Sequence, residues 1–145
     1  MEDSAVVIAQ FILMAISVVA NSFGIFMLRK QRGGNANQRL ILQNLSSIEI
    51  IKTCYDFVLL TMHHFYDGWP KHIHVDVIIA VEVSLMTVIF QTFILISLER
   101  ITFFTLLTLY RYYITKRVTS MVITSIWLVG VSSGILFWLC SEKPG

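Results

Sequence analysis

Four apolar stretches, Val6–Leu28, Leu40–Met62, Val75–Leu98 and Val118–Cys140, take up most of this 145-residue chain. Each is close to the ~20 residues that an α-helix needs to cross the hydrocarbon core of a bilayer. The first contains no charged residue, whereas a helix on the surface of a soluble domain is apolar along one stripe only. Composition agrees: 56% of residues are hydrophobic and 14% charged, which leaves too little polar surface to coat a domain in water. The expectation is an all-α integral membrane protein with four spanning helices, about 6–28, 40–62, 75–98 and 118–140. The first stretch is not expected to be a cleaved signal peptide. Its flank is acidic, Glu2 and Asp3, and its apolar run is too long.

Basic residues set the expected orientation, because they concentrate on the cytoplasmic side of membrane proteins. Arg29, Lys30, Arg32 and Arg39 crowd the first link, and Arg100, Arg111, Lys116 and Arg117 the third. The second link has Lys71 and the tail Lys143. Eight against two places the N-terminus outside. The second link, "HHFYDGWPKHIH", is then extracellular, with a turn signal at Asp67–Pro70. His63, His64, His72 and His74 flank it and read as solvated loop residues rather than metal ligands. A net charge of +2 with no basic aromatic patch argues against nucleic acid. No glycine-rich phosphate loop, zinc-spaced Cys/His set or nucleophile elbow is present, so no enzyme or cofactor is expected.

The chemistry lies in charges placed where lipid should be. The second stretch holds Glu49, Lys52 and Asp56, whose spacing puts all three on one helical face. A charge in mid-bilayer costs about 2.5–3.5 kcal/mol even on the most lenient scale, so such groups face the bundle interior or a wet cavity. They are expected to pair with one another or with neighbouring helices; the alternative is an internally neutral, purely structural acid–base–acid ladder centred on Lys52. Glu82 stands alone in the third stretch and needs a partner or a proton. Asn44-Leu45-Ser46 matches a glycosylation sequon but lies inside a span, out of reach of the transferase. Gly130 and Gly134 form a small-xxx-small pattern that lets backbones approach closely, either within the bundle or across a homodimer.

Five features together resemble the rhodopsin-like (class A) G-protein-coupled receptors. Asn21 in "VVANSFGIFML" is similar to the family's helix 1 signature, with Ala20 in place of its glycine. "NLSSIEI" resembles the helix 2 motif, Glu49 standing for its aspartate. Glu99-Arg100-Ile101 resembles the Asp/Glu-Arg-Tyr motif at the end of helix 3, and Trp127 the helix 4 tryptophan. Trp69 falls where the family commonly has a tryptophan in the first outer loop. The separations 49−21 = 28, 100−49 = 51 and 127−100 = 27 are also close to the family's.

The resemblance covers helices 1 to 4 of seven, and it implies the N-terminal half of a seven-transmembrane receptor bundle, truncated after helix 4. It implies a plasma-membrane protein that senses an extracellular small-molecule or peptide ligand and signals to a heterotrimeric G protein. Glu82, Lys52, Asp56 and Met86 would bind ligand; Glu99, Arg100 and Ile101 would couple to the G protein, with Glu99 restraining Arg100 in the off state. Asn21, Glu49 and Trp127 would form the bundle core. Membrane lipids, and possible receptor dimers through the glycine seam, complete the expected partners. "FFTLLTLYRYYITK" would be an inner loop whose Arg111, Lys116 and Arg117 meet anionic lipid. The family's cysteine at the top of helix 3 is missing near Val75, which leaves Cys140 without its usual partner. Two other readings are a free-standing four-helix protein that moves ions or protons through Glu49, Lys52 and Glu82, and a truncated receptor that modulates full-length ones.

Overall fold

Five helices make up the fold in a computed structural model that describes residues 2–65 and 75–141. They are α1 (Glu2–Lys30), α2 (Ala36–Phe65), α3 (Val75–Thr105), α4 (Leu107–Tyr113) and α5 (Lys116–Ser141). The four expected spans lie inside α1, α2, α3 and α5. The Asp67–Pro70 turn, Trp69, His72 and His74 fall outside the described residues. At 1.5 Å per residue the 29 residues of α1 run about 44 Å, long enough to cross a bilayer with a turn to spare at each side.

Among the described residues, three helices are long and apolar enough to cross a membrane: α1 from Ser4, α3 and α5. The chain therefore has the build of an all-α membrane protein. The fourth expected span, in α2, does not meet that standard, although its 30 residues suffice in length. Its Glu49, Lys52 and Asp56, with Arg39 nearer the start, keep every long window of the helix charged.

The packing explains how α2 accommodates those charges. Among the described residues, α2 touches α1, α3 and α5, whereas α1 touches α2 alone. α3 and α5 form the other close pair. Their contact is set by glycine. A Cβ on Gly134 would collide with the Ser84 hydroxyl and lie 2.8 Å from the Ala80 carbonyl oxygen, and one on Gly130 would collide with a Val88 methyl. The small-xxx-small seam is thus filled by α3 of the same chain.

Polarity is inverted relative to a soluble domain. Leu13, Val19, Phe90 and Leu136 are each more than 60% exposed, while Asn37, Thr53, Thr92, Glu99 and Thr119 are buried. Hydroxyls within the helices are satisfied locally: Thr61, Ser84, Thr87, Thr92 and Ser97 all donate to the carbonyl four residues back. A bilayer cannot supply partners for polar groups, so these hydroxyls carry their own.

After Thr105 the backbone breaks at Leu106 (φ −126°, ψ 48°) and winds again as α4, which packs on α3. The stretch expected as an inner loop therefore contains a two-turn helix. Phe103 and Tyr110 meet edge to face at 5.3 Å across this corner.

Candidate functional site

Two polar clusters stand out, one between α2 and α3 along their length, the other at the end of the bundle that carries most of the basic residues.

In the first, Lys52 Nζ donates to Asp56 Oδ1 at 2.8 Å and Oδ2 at 2.7 Å, and approaches Glu82 Oε1 at 2.9 Å. One turn further along, the Tyr55 hydroxyl donates to the Ile78 carbonyl of α3 at 2.9 Å. Lys52 and Tyr55 are three apart on α2, and Ile78 and Glu82 four apart on antiparallel α3, so the two links are successive rungs between the same faces. The Lys52 side chain is 15% exposed, those of Asp56 and Glu82 35% and 40%. The cation is enclosed and the acids open outward.

The ladder alternative is corrected here, and the pairing includes a neighbouring helix. Lys52 bridges Asp56 and Glu82 rather than Glu49 and Asp56. An ammonium has three protons to donate, and packing of α3 on α2 delivers a carboxylate from the neighbouring helix that takes the one left by Asp56. Glu49 is half-buried and forms no ion pair among the described residues. Glu82, alone in its own stretch, has its partner on another helix. Met86 lies one turn from Glu82 on the same face and is 51% exposed.

The second cluster centres on Glu99, which is 6% exposed. Its Oε1 accepts from the Tyr110 hydroxyl at 2.7 Å and from Asn35 Nδ2 at 2.9 Å. Asn37 Nδ2 donates to the Ile114 carbonyl at 2.7 Å, and the Asn35 side-chain oxygen accepts from the Asn37 backbone N–H at 3.0 Å, in the manner of a helix N-cap. Asn35 also reaches the Tyr110 oxygen at 2.9 Å. Three segments, the α1–α2 link, the end of α3 and α4, are thereby tied to one carboxylate. Burial pushes the Tyr110 hydroxyl above its ordinary range; the Asn35 hydrogen bond opposes that and Glu99 adds to it.

The expected restraint of Arg100 by Glu99 is absent. Glu99 points into the bundle, Arg100 is exposed, and no ion pair joins them. Adjacent residues on a helix project about 100° apart and do not face each other. Ile101 is 62% exposed beside it.

The three residues expected in the bundle core are half-buried rather than buried. Asn21 donates to the Ser17 carbonyl of its own helix at 2.9 Å, while Ser17 and Thr53 approach at 3.4 Å between α1 and α2. Trp127 Nε1 donates to Asn44 Oδ1 at 3.0 Å, fastening α5 to α2. Asn44, a sequon residue by motif, is a structural acceptor by position. Asn35, Asn37, Asn44 and Tyr110 were not singled out from the sequence for these roles. Only Asn35, two residues ahead of Asn37 and just before a helix, carried a local signal. The chain matches no protein-family model, no curated protein and no solved structure.

Proposed function

We propose that the chain forms the first four helices of a rhodopsin-like receptor of the plasma membrane, with its N-terminus outside, that senses an extracellular ligand and signals to a heterotrimeric G protein. The observation that carries this reading is the Lys52–Glu82 ion pair between two helices, with both acids partly open. Charges at such depth are retained where function uses them. All three protons of Lys52 are committed, whereas Asp56 and Glu82 keep unused lone pairs. The site therefore offers acceptors, which suits the cationic group of a ligand. A ligand that draws Glu82 from Lys52 would loosen the α2–α3 contact and shift the bundle between two arrangements. The exposure of Arg100, clear of Glu99, supports its role as the residue a G protein reads.

Movement of ions or protons is the competing reading. Its path runs through Glu49, Lys52 and Glu82; Lys52 and Glu82 are paired, whereas Glu49 forms no ion pair with either among the described residues.

The test joins the chain to the last three helices of a class A receptor. Arg100→Ala in that chimaera is expected to reach the cell surface and lose G-protein coupling. Coupling equal to the parent would reduce Arg100 to a membrane-edge anchor and sink the receptor reading at this site.

A further inference from the structure

The basic end of the bundle presents eight Lys and Arg residues against a single acid, Glu99, which is buried and committed to Tyr110 and Asn35. Between the start of α5 and the start of α2 lies a groove of about 780 Å³. Lys116 and Arg117 line it at the helix start, Ser120, Thr124 and Ser125 follow over the next two turns, and Leu40 and Met121 supply apolar wall. Among the described residues, neither Lys116 nor Arg117 has a carboxylate partner. Both cations are the first two residues of α5, at the positive end of its dipole, and the first turn contains no acid to offset them. Thr124 and Ser125 donate to carbonyls of their own helix, and Ser120, exposed, is left to donate outward. Two unmatched cations, a hydroxyl and an apolar wall thus follow one another along a single groove.

We propose that this groove binds an anionic glycerophospholipid through a phosphomonoester on its headgroup. The charge matches: a phosphomonoester carries about −1.5 to −2 at neutral pH, against the two cations. A free phosphate ion would satisfy Lys116 and Arg117 and leave the rest of the groove unused. A lipid fills it, with Ser120 at the level of the ester carbonyls. Ser125 also borders a second, apolar groove of about 330 Å³ between α3 and α5, walled by Ile94, Leu98, Val122, Ile126 and Val129, where an acyl chain can lie. The inference requires that these helices cross a membrane and is independent of the receptor reading.

Native mass spectrometry of the full chain in detergent tests it, with a phosphatidylinositol monophosphate, phosphatidylserine and phosphatidylcholine as probes. The phosphomonoester lipid is expected to be retained most strongly. Lys116→Gln with Arg117→Gln is expected to weaken it roughly thirtyfold, the product of two surface cations. Arg29→Gln with Arg32→Gln removes the same charge elsewhere at that end and is expected to leave retention unchanged. Leu40→Trp narrows the groove without altering charge and is expected to weaken retention too; it decides the matter if the double α5 variant loses helicity by circular dichroism. Equal losses in the two charge variants would mean diffuse attraction and overturn the site. Binding of inorganic phosphate or a soluble inositol phosphate as tight as that of the lipid would overturn the lipid as its occupant.

Discussion

Glu99 shows how much one carboxylate can organise when the solvent is excluded. A buried acid that loses a donor is left partly unsatisfied, at a cost of about 1–3 kcal/mol. Tyr110→Phe removes the donor at 2.7 Å and leaves Asn35, so thermal unfolding in detergent should occur earlier by that amount. The same variant tests a pH dependence. Folding raises the Tyr110 hydroxyl above the ordinary phenol value of 10.0. Its contribution is therefore fully present below pH 10.0 and lost as pH rises through the folded value. The parent should lose stability above pH 10.0 faster than Tyr110→Phe; parallel curves would show that Tyr110 is solvated. Lys52→Met brings the opposite problem, two acids facing each other with no cation between them. Because Asp56 and Glu82 are 35% and 40% exposed, the loss should fall below the roughly 3–5 kcal/mol of a fully buried pair. Adding Glu82→Gln should restore part of it, and adding Glu49→Gln should not. The reverse result would reinstate the ladder along α2. The shared face of Glu49, Lys52 and Asp56 was legible from spacing. Lys52's partner on α3 was not, because nothing within α2 specifies which helix packs across from it.

At the scale of elements, the α3–α5 contact offers a graded test. Gly134→Ala meets the Ala80 backbone carbonyl at 2.8 Å as well as the Ser84 side chain, and a backbone atom cannot move aside cheaply. Gly130→Ala meets chiefly a Val88 methyl. Each should destabilise by about 1–3 kcal/mol. Val88→Ala should rescue Gly130→Ala, whereas Ser84→Ala should rescue Gly134→Ala only in part. Gly33→Ala, with nothing within 4 Å, should be neutral. Equal rescue of both would place the strain in side chains alone. The seam was readable as a motif, but its partner was not, since a small-residue stripe looks the same whether it meets its own bundle or a second copy. The helical segments themselves were readable from apolar length. α4 was missed because seven residues are too few for periodicity to separate a helix from a loop.

For the molecule as a whole, the orientation proposed from eight basic residues against two is directly measurable. A glycosylation tag on a spacer ahead of Met1 should be modified, and one inserted at Gly33-Gly34 should not. The opposite pattern would invert the protein and place the Lys52 cluster toward the cytoplasm.

Among the described residues α1 is attached to α2 alone, which has a consequence in the order of synthesis. Residues 31–35 join the two helices, so the pair is complete as a hairpin while α3 is still being made. During that interval Lys52 has been made and Glu82 does not yet exist. Asp56, four residues away on the same helix, is the counter-ion at hand from the outset. If α2 enters a membrane at that stage, Asp56 would accompany the charge and Glu82 would join a pair already formed.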